Sequence, residues 1–392
     1  MPVGFLSEML AQPVHGGGIT LRRVLREDLE RFDWIAKTLH YPVEKRPEYG
    51  QHFQNHCYEW WKIEALLRPV LGCTLAYRIA FHPRTRAAFA RNVARRLLRA
   101  QPDLLQSRIL VCPQADITVL VLEELKKISK IRYVTWVMDD HVLKWQGGGW
   151  VYPAGFEQQM CRHLCDAEHV HVISPALQGF YKSRFGIDST VLCGPADAVA
   201  PPPRRIQSAN RLKLAYFGSL GPWQNDAMEL LIPSLGRGEI ALDVFSHNPD
   251  AIPPALKSAG AELRAGVSAK EVLTLCGRYD AVVLPISFKE ELRNMSHFNI
   301  ATKFSEYLAS GVPVLIIGPP DAIMLQIASA KQAAVIVDQC DSNAVLAALN
   351  ILRNPVKTGG IIRAALQLAR SEFSTDVMLS RFEASRSFLF QQ

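Results

Sequence analysis

Predominantly apolar runs recur along the chain, and amphipathic segments separate several of them. Runs rich in β-branched residues and leucine are typical of strands covered on both faces in a parallel sheet. Such runs occur at 3–11, 108–113, 132–138, 167–175, 212–217, 241–246, 280–285 and 312–317. Apolar residues at helical spacing, as at 118–130, lie between them. The alternation predicts an α/β protein with parallel sheets.

A change of composition divides the chain into two parts. Residues 196–210 contain three consecutive prolines, Pro201 to Pro203, and little apolar periodicity, as expected of an extended linker. A chain of 392 residues is also longer than a single compact core accommodates. We therefore predict one domain at 1–195, a linker at 196–210, a second domain at 211–375 and a final helix at 376–392.

The composition is that of a soluble globular protein, with 48% hydrophobic and 21% charged residues. No apolar run approaches the roughly 20 residues that a membrane-spanning helix needs. The N-terminal segment MPVGFLSEMLA lacks a basic leader and a cleavage site. The eight cysteines are scattered, as expected of buried free thiols in a reducing compartment. These features predict a cytoplasmic protein.

The excess positive charge is concentrated in one segment. Seven arginines lie between Arg84 and Arg108 against the single acid Asp103, and the apolar residues among them predict a basic amphipathic helix. Such a helix can bind an anionic membrane surface or acceptor, at roughly 1 kcal/mol for each basic residue near a charged leaflet. The alternative is a helix packed on the core with a solvated basic face. Nucleic acid is a weaker candidate, because no nucleic-acid-binding signature accompanies the arginines.

The segment 299–318, NIATKFSEYLASGVPVLIIG, combines a helix start, a helix stop and a buried strand. Gly311 stands where a left-handed residue would end the helix, and Pro313 prevents the helix from continuing. Asn299, Thr302 and Lys303 lie at the predicted helix start. Free backbone N–H groups and the positive end of the helix dipole favour an anion there.

Glu306 lies one turn beyond Lys303 on the same face of the predicted helix. A cation beside a carboxylate at a helix start suits a diphosphate joined to a ribose, because the carboxylate can accept hydrogen bonds from both ribose hydroxyls. The spacing alone is equally compatible with an ordinary surface ion pair.

The string KFSEYLASGVPVL, from Lys303 to Leu315, resembles the donor-binding segment of GT-B glycosyltransferases, close to family 4. The resemblance implies two Rossmann-like parallel-sheet domains facing an interdomain cleft. The domain at 1–195 would bind the acceptor and the domain at 211–375 the nucleotide sugar, and the helix at 376–392 would cross back to the first domain. Glu306 would bind the ribose, with Lys303 and Thr302 near the diphosphate.

Two further segments resemble the same family. Residues 212–217 lead into a glycine turn, Gly218-Ser219-Leu220, which in the family faces the donor phosphates. The strand at 167–175 ends in an Ile-Ser-Pro step like the one that closes the family's first domain. The resemblance thus implies a transferase that uses a UDP-, GDP- or dTDP-linked sugar as co-substrate, with no other cofactor. Its expected setting is bacterial surface-polysaccharide or glycoconjugate synthesis, with a glycan or lipid-linked acceptor.

The chain departs from the family pattern in two places. Retaining members carry a glutamate eight residues before the ribose-binding one, where this chain has Phe298. They also carry an arginine and a lysine after the second glycine turn, where this chain has no cation as far as Gln224. The helix start and Lys303 would then have to neutralise the phosphate charge, together with Lys289 or Arg293 from the preceding loop. These departures favour an inverting enzyme.

Inversion by a single displacement needs a general base that takes the acceptor proton. Asp139, Asp140 and His141 follow a predicted buried strand, at the end where ligand sites of α/β proteins lie. Asp140 is the first candidate and Asp139 could equally be the base. Alternatively, both could cap the turn that begins the next segment. The pair is not a D-x-D metal motif, and the resemblance implies no bound metal.

Two glycine-rich segments are candidates for the acceptor side of the cleft. Gly16, Gly17 and Gly18 follow the first strand and precede a helix predicted from Thr20, so a ligand could approach the backbone there. Trp145 and Trp150 lie in a glycine-rich loop at 144–155, where aromatic faces could stack on sugar rings. That loop could equally be a plain surface loop.

Cysteine and histidine are clustered at 161–171 but do not predict a metal site. Cys161, His163, Cys165 and His169 have ligand chemistry, yet no second paired motif completes a zinc site. His169 and His171 share one strand face, where they could flank the cleft or simply pack.

Two other functions are compatible with the sequence. A sugar-nucleotide epimerase can have the same fold, although more acids and histidines would be expected at its reacting carbon. A non-catalytic subunit that binds a nucleotide sugar or scaffolds a glycan-assembly complex would also keep the fold.

Overall fold

The parallel strands that the hydrophobic pattern predicts are present, and they form two separate sheets. The structure, a computed structural model, describes residues 1–8, 16–39, 54–196, 211–218, 220–248, 250 and 252–391. Contacts divide the chain into unit 1, Met1–Cys193 with Leu379–Gln392, and unit 2, Gly194–Met378. The last helix of the chain therefore begins in unit 2 and continues in unit 1.

Unit 1 alternates strands and helices for most of its length. Its strands are β1 (Val3–Ser7), β2 (Trp34–Leu39), β3 (Gln54–Glu59), β4 (Arg108–Cys112), β5 (Arg132–Val137), β6 (Lys144–Gln146), β7 (Gly149–Val151), β8 (His169–Val172) and β9 (Thr190–Val191). Its helices are α1 (Gly16–Leu25), α2 (Trp61–Ala80), α3 (Pro83–Ala100), α4 (Ile117–Lys126), α5 (Phe156–Cys165) and α6 (Pro175–Phe185).

Seven of the described strands of unit 1 form a parallel sheet in the order β3-β2-β1-β4-β5-β8-β9. The order reverses between β1 and β4, which pair from Val3↔Arg108 to Ser7↔Cys112. A core cluster that includes Leu6, Val93 and Val121 joins the sheet to α3 and α4. Ligands of open α/β sheets bind beyond the carboxyl ends of the strands at such a reversal, so the segments after β1 and β4 are where a site is expected.

Unit 2 repeats the same plan of alternating strands and helices. Its strands are β10 (Leu212–Phe217), β11 (Ile240–Ser246), β12 (Glu262–Ala265), β13 (Ala281–Pro285), β14 (Val314–Ile317) and β15 (Val335–Val337). Its helices are α7 (Asn225–Glu229), α8 (Ile232–Gly236), α9 (Pro254–Ser258), α10 (Ala269–Cys276), α11 (Arg293–Phe298), α12 (Thr302–Leu308), α13 (Ile323–Ala330), α14 (Ser342–Leu352) and α15 (Pro355–Glu372), followed by α16 (Thr375–Phe390).

The described strands of unit 2 are also parallel, in the order β12-β11-β10-β13-β14-β15. This order reverses between β10 and β13, which places the glycine turn after β10 at the reversal. A core cluster that includes Leu214, Val244, Val283 and Leu315 lies on one face of the sheet. The second reversal therefore defines a second expected ligand position.

Predicted strands and helices agree with the observed ones in most places, with local corrections. The predicted loop at 144–155 contains an antiparallel hairpin of β6 and β7, with Trp145 opposite Trp150. Most of the predicted linker lies outside the described residues, and Ala196 at its start forms a parallel bridge with Ser374. Cysteines are less buried than expected, since Cys57, Cys73, Cys165 and Cys340 are exposed. No helix in the described part of the chain is long and apolar enough to cross a membrane.

Candidate active site

The segment 299–318 folds as its sequence predicts. Helix α12 begins at Thr302 after Ala301, whose backbone is extended, and it ends at Leu308. Gly311 adopts a φ of 75°, the left-handed conformation that a turn here requires. Strand β14 follows and is buried along its whole length. The segment therefore presents its helix start at the carboxyl edge of the sheet of unit 2.

Lys303 lies directly over the glycine turn that follows β10. A Cβ added to Gly218 would lie 2.7 Å from the Cε atom of Lys303 and 2.8 Å from its Nζ atom. The Nζ atom also lies 5.4 Å from the centroid of the Tyr216 ring. The two segments that the sequence assigns to the donor phosphates thus meet, and the missing side chain of Gly218 provides the space for the ammonium group.

A buried hydrogen bond fixes the position of α12 against β10. The backbone N–H of Phe217 donates to the hydroxyl oxygen of Tyr307 at 2.9 Å. Tyr307 is fully buried, and burial raises the pKa of its hydroxyl well above the ordinary value. Lys303 precedes Tyr307 by one helical turn, so both side chains face the end of β10. The bond therefore also sets the position of Lys303.

Glu306 and Thr302 are each 7% exposed. An ordinary surface ion pair is not compatible with a glutamate buried to this degree. Burial raises the pKa of the nearby Cys276 thiol to about 12, with a further contribution from the charge of Glu306. Asn299 is half-buried before the helix, and its N–H donates to the carbonyl of Met295 at 3.2 Å. The predicted donor-binding residues therefore lie together at the start of α12.

The other cations predicted for the phosphates have different surroundings. Arg293 is paired with Asp321, with its Nε and Nη2 atoms each 2.7 Å from Oδ2. Lys289 is exposed. Leu220 is buried at 9% exposure, and Ser219 lies outside the described residues. Lys303 is thus the predicted cation that the structure places against the glycine turn.

The turn after β10 is held to the turn after β13. Ser287 donates its N–H to the carbonyl of Trp223 at 2.9 Å, and Phe288 donates its N–H to Asp226 at 2.8 Å. The N–H of Gly221 donates to the Oε1 atom of Gln224 at 3.1 Å. These bonds join the two segments that flank the reversal of strand order. They hold the segment that follows the glycine turn against the turn after β13.

A second group of polar residues lies at the carboxyl edge of the sheet of unit 1. Glu8, directly after β1, is 6% exposed and accepts hydrogen bonds from three backbone N–H groups. The donors are Gln114 at 3.1 Å, Ala115 at 2.5 Å and Thr118 at 2.7 Å. A carboxylate at this position satisfies free N–H groups at the start of α4 and interacts favourably with the helix dipole. Glu8 was not among the predicted site residues, although an acid at the end of the first strand was the available signal.

Asp139 has one restrained oxygen and one unpartnered oxygen. The Nε2 atom of Gln114 donates to its Oδ2 atom at 3.0 Å. Its Oδ1 atom is buried and has no hydrogen-bond partner among the described residues. Burial raises the pKa of the carboxyl, partly opposed by His141 and by the bond from Gln114. The backbone of His141 donates to the carbonyl of Gln114 at 2.9 Å, so Gln114 restrains both residues.

Asp140 is surrounded by hydrogen-bond donors. It is 8% exposed and accepts from the hydroxyl of Tyr152 at 2.5 Å, the hydroxyl of Tyr181 at 2.9 Å and the N–H of Leu143 at 3.1 Å. Burial raises the pKa of this carboxyl as well, and the three hydrogen bonds act in the opposite direction. The hydrogen bond from Leu143 is a turn cap, the structural role that was the alternative to a catalytic base for Asp140. Asp140 thus ties β5 to the segments that carry the two tyrosines.

The glycines and tryptophans predicted for the acceptor side lie in regular elements. Helix α1 begins at Gly16, so Gly16, Gly17 and Gly18 form its first turn, and the prediction of a loop before a helix from Thr20 is wrong. The rings of Trp145 and Trp150 are 5.0 Å apart at 69° on the hairpin of β6 and β7. Gly147 and Gly148 supply the positive φ values, 58° and 79°, of its two-residue turn. The tryptophans are therefore presented by a hairpin.

The basic segment forms a helix that packs on the core and exposes a basic face, which is the alternative structure considered for it. Helix α3 packs Ala90, Val93, Ala94 and Leu97 on the core. Arg86 is paired with Asp116, and burial lowers its pKa to about 10. Arg108 donates instead to the carbonyls of Phe388 and Gln391 near the end of α16. The exposed arginines are Arg84, Arg91, Arg95, Arg96 and Arg99.

The histidines near α5 are packed inside unit 1. His163 is hydrogen-bonded to the hydroxyl of Thr135 at 2.8 Å, and His171 is hydrogen-bonded to the hydroxyl of Ser385 at 2.6 Å. Burial lowers the pKa of each imidazole to about 3. His169 contacts the ring of Phe388, so the face shared by His169 and His171 packs against α16. Within the described ranges, His, Cys, Asp and Glu form no group that could hold a metal ion.

Comparison with known proteins identifies the fold. No family model and no curated protein matches the sequence. Among solved structures, sucrose-phosphate synthase from Thermosynechococcus elongatus matches with a TM-score of 0.67 at 11% identity, covering 100% of this chain and 99% of that one. HepE from Anabaena in complex with UDP matches with a TM-score of 0.63 at 14% identity, covering 99% and 100%.

A third match is the α,α-trehalose 6-phosphate synthase of Burkholderia multivorans, with a TM-score of 0.62 at 11% identity and coverage of 99% and 98%. At these identities the matches establish the fold. The chain has the GT-B fold, so the prediction of two Rossmann-like parallel-sheet domains is confirmed.

Proposed function

We propose that the protein is a glycosyltransferase that moves a sugar from a nucleotide-sugar donor to an acceptor hydroxyl. The observation that carries the proposal is the contact between Lys303 and Gly218 at the strand-order reversal of unit 2. It places an ammonium group over an open glycine turn, which is where the diphosphate of a nucleotide binds in open α/β sheets. Glu306, buried one turn further along α12, supplies the acceptor oxygens for the ribose hydroxyls.

UDP is the favoured nucleotide among the UDP-, GDP- and dTDP-linked donors. HepE from Anabaena was solved with UDP and with UDP-glucose, and it has the same fold over its whole length. In this chain Lys303 would neutralise charge on the diphosphate as it leaves. Because α12 has only 7 residues, its dipole contributes little to stabilising the negative charge of the diphosphate. Lys303 therefore supplies most of the compensating positive charge.

Inversion is favoured for the transfer, with Asp139 as the general base. The acceptor oxygen forms a bond to the anomeric carbon while the bond from that carbon to the diphosphate oxygen breaks, and the electron pair leaves with the diphosphate. The acceptor proton passes to a carboxylate. Asp139 suits this role because its Oδ1 atom has no partner in the described structure, whereas Asp140 already accepts from two tyrosines. The raised pKa of Asp139 also makes it a stronger base than an ordinary carboxylate.

The acceptor is a glycan or a lipid-linked sugar, and the setting is the synthesis of a bacterial surface polysaccharide or glycoconjugate in the cytoplasm. The exposed arginines of α3 support peripheral association with the inner face of an anionic membrane. Trp145 and Trp150 provide aromatic faces on which an acceptor sugar could stack.

Incubation with a panel of nucleotide sugars, with and without candidate acceptors, tests the proposal. Release of free nucleotide that depends on the acceptor supports transfer, and an epimerised donor would indicate an epimerase. Binding without turnover would indicate a non-catalytic subunit. Lys303→Ala should weaken donor binding, whereas Lys331→Ala, at an exposed lysine of the same unit, should not. Equal affinity of Lys303→Ala and the unchanged protein would refute the donor site.

A further inference from the structure

Helix α2 exposes an unusual amount of apolar surface. Five large apolar side chains on it face solvent, namely Leu66, Val70, Leu75, Tyr77 and Ile79. Leu66 is 76% exposed and Val70 is 83% exposed, so neither takes part in the core of unit 1. A contiguous helix that exposes this much apolar surface marks an interaction site.

The backbone of α2 divides this surface into two parts. Pro69 lies within the helix and Gly72 has non-helical angles, φ 72° and ψ 165°, so the helix is kinked there. After the kink, Ala76 and Ala80 are buried and attach the helix to the core, while Leu75 and Ile79 point away from it.

Before the kink, apolar residues recur at helical spacing. Ile63, Leu66, Leu67, Val70 and Leu71 follow the i, i+3, i+4, i+7, i+8 pattern of one helix face. Glu64 and Arg68 form an ion pair along the other face, with 2.5 Å between the charged atoms. This half of α2 is therefore amphipathic. Ile63 packs its apolar face against the core cluster of unit 1, whereas Leu66 and Val70 of the same face are exposed to solvent.

The segment of the chain that carries the apolar surface is strongly basic. From residue 61 to 100, which covers α2 and α3, nine Lys and Arg residues accompany the single acid Glu64. The whole chain has a net charge of only +7, so this pair of helices accounts for all of the excess. The rings of Tyr77 and Phe81 stack at 4.3 Å where α2 leads into α3, so the two helices are directly connected.

We infer that α2 inserts its exposed apolar side chains into the surface of an anionic bilayer, while the exposed arginines of α3 bind lipid headgroups. Apolar side chains flanked by arginines are the chemistry of an interfacial helix on anionic lipid. A second copy of this chain would bring a like charge against the same surface, which opposes self-association through α2. The inference extends the peripheral association proposed above and does not depend on sugar transfer.

Co-sedimentation of the full chain with vesicles tests the inference. The protein should bind vesicles of equal parts phosphatidylcholine and phosphatidylglycerol, and it should bind phosphatidylcholine alone much more weakly. The variant Leu66→Ser/Val70→Ser should bind the anionic vesicles at least about tenfold more weakly, because burying one such side chain is worth a factor of ten or more. Ile128→Ser is the matched control, at an apolar residue of unit 1 that is 58% exposed and lies outside α2.

A second variant separates the two contributions. Arg91→Gln/Arg95→Gln/Arg99→Gln should weaken binding to anionic vesicles and reduce its dependence on salt. No binding by the unchanged protein would overturn the inference, as would equal binding by the Leu66/Val70 variant. A dimer that forms without lipid and is lost in that variant would also overturn it, by identifying a second copy as the occupant.

Titration with UDP distinguishes failure of this inference from failure of the proposed function. The Leu66/Val70 variant should bind UDP like the unchanged protein while losing vesicle binding. Vesicle binding without any binding of UDP, GDP or dTDP would refute the donor site and leave the membrane surface intact.

Discussion

The Nζ atom of Lys303 lies 2.8 Å from the position that a Cβ would occupy on Gly218. The residues are 85 positions apart in sequence, yet the glycine leaves the space that the ammonium group fills. The bond between Phe217 and Tyr307 holds the two segments in this register. A donor site assembled in this way depends on the absence of a side chain as much as on the presence of a charge.

Gly218→Ala should therefore weaken donor binding even though Lys303 is retained in the sequence. The added Cβ would displace the ammonium group, and the φ of 123° at Gly218 is strained for alanine. We expect the Kd for UDP to rise by about tenfold or more, measured by calorimetry. Gly236→Ala is the control, because a Cβ there has no atom within 4 Å. Unchanged affinity in Gly218→Ala would mean that the ammonium group does not contact the donor.

Tyr307→Phe should destabilise unit 2. The change removes the acceptor of the buried Phe217 N–H, and an unsatisfied buried donor costs about 1–3 kcal/mol. Thermal or urea unfolding measures the free energy of unfolding. Tyr77→Phe, at a tyrosine that is 53% exposed, should leave it nearly unchanged. A loss of donor affinity larger than the loss of stability would show that the bond also positions Lys303.

Replacing each aspartate in turn should separate catalysis from stability. Asp139→Asn should reduce kcat by about 10²- to 10⁴-fold with donor binding retained, because it removes the proposed base. Asp140→Ala should instead reduce the free energy of unfolding by about 2–4 kcal/mol, since it leaves two buried tyrosine hydroxyls without their acceptor. Full turnover by Asp139→Asn would exclude that residue as the base. In that case Asp140→Asn, which retains an acceptor oxygen, becomes the next variant to assay.

The activity should also depend on pH in a defined direction. A general base acts in its ionised form, and burial raises the pKa of Asp139 above the ordinary value of 3.8. We therefore expect kcat/KM to fall on acidification at a pH above that of an ordinary aspartate. The measurement is a pH–rate profile, with Asp140→Asn as the comparison. If the residual activity of Asp139→Asn shows the same fall on acidification, the titrating group is a residue other than Asp139.

Acid should destabilise unit 1 through its buried histidines. The pKa of His171 is about 3 in the folded protein against 6.5 for an ordinary histidine, so the unfolded chain binds a proton first as the pH falls. The contribution of His171 to the free energy of unfolding is therefore complete above pH 6.5, and it declines as the pH falls from 6.5 toward 3. His171→Gln should show a shallower decline of the melting temperature between these limits. His247→Gln, at an exposed histidine, should keep the original slope.

Local patterns in the sequence predicted the segments of the donor site but not their contact. The helix, glycine turn and strand at 299–318 follow from spacing and from Gly311 and Pro313, because those constraints are local. The approach of Lys303 to Gly218 depends on the strand order β10-β13-β14, which no local pattern specifies. The resemblance to GT-B enzymes supplied that connection.

The site residues of unit 1 were harder to predict for the same reason. Asp139 and Asp140 are adjacent, so their roles differ only through partners from other elements, such as Gln114 and Tyr181. Glu8 binds the start of a helix more than a hundred residues away, as its bond to Thr118 shows. Helix α2 was not predicted, and its sequence contains Pro69 and Gly72, two residues that disfavour a continuous helix.

The path of α16 has a consequence for synthesis on the ribosome. Its last turns complete unit 1, where Phe390 packs on Phe32, Arg386 pairs with Asp28, and Ser385 is bonded to His171. All of unit 2 is translated between Cys193 and these residues. Unit 2 can therefore finish folding while unit 1 still lacks one of its helices, and unit 1 reaches its final state only after α16 has left the ribosome. A fragment that ends at Cys193 would correspond to an intermediate of synthesis, since it lacks part of its own core.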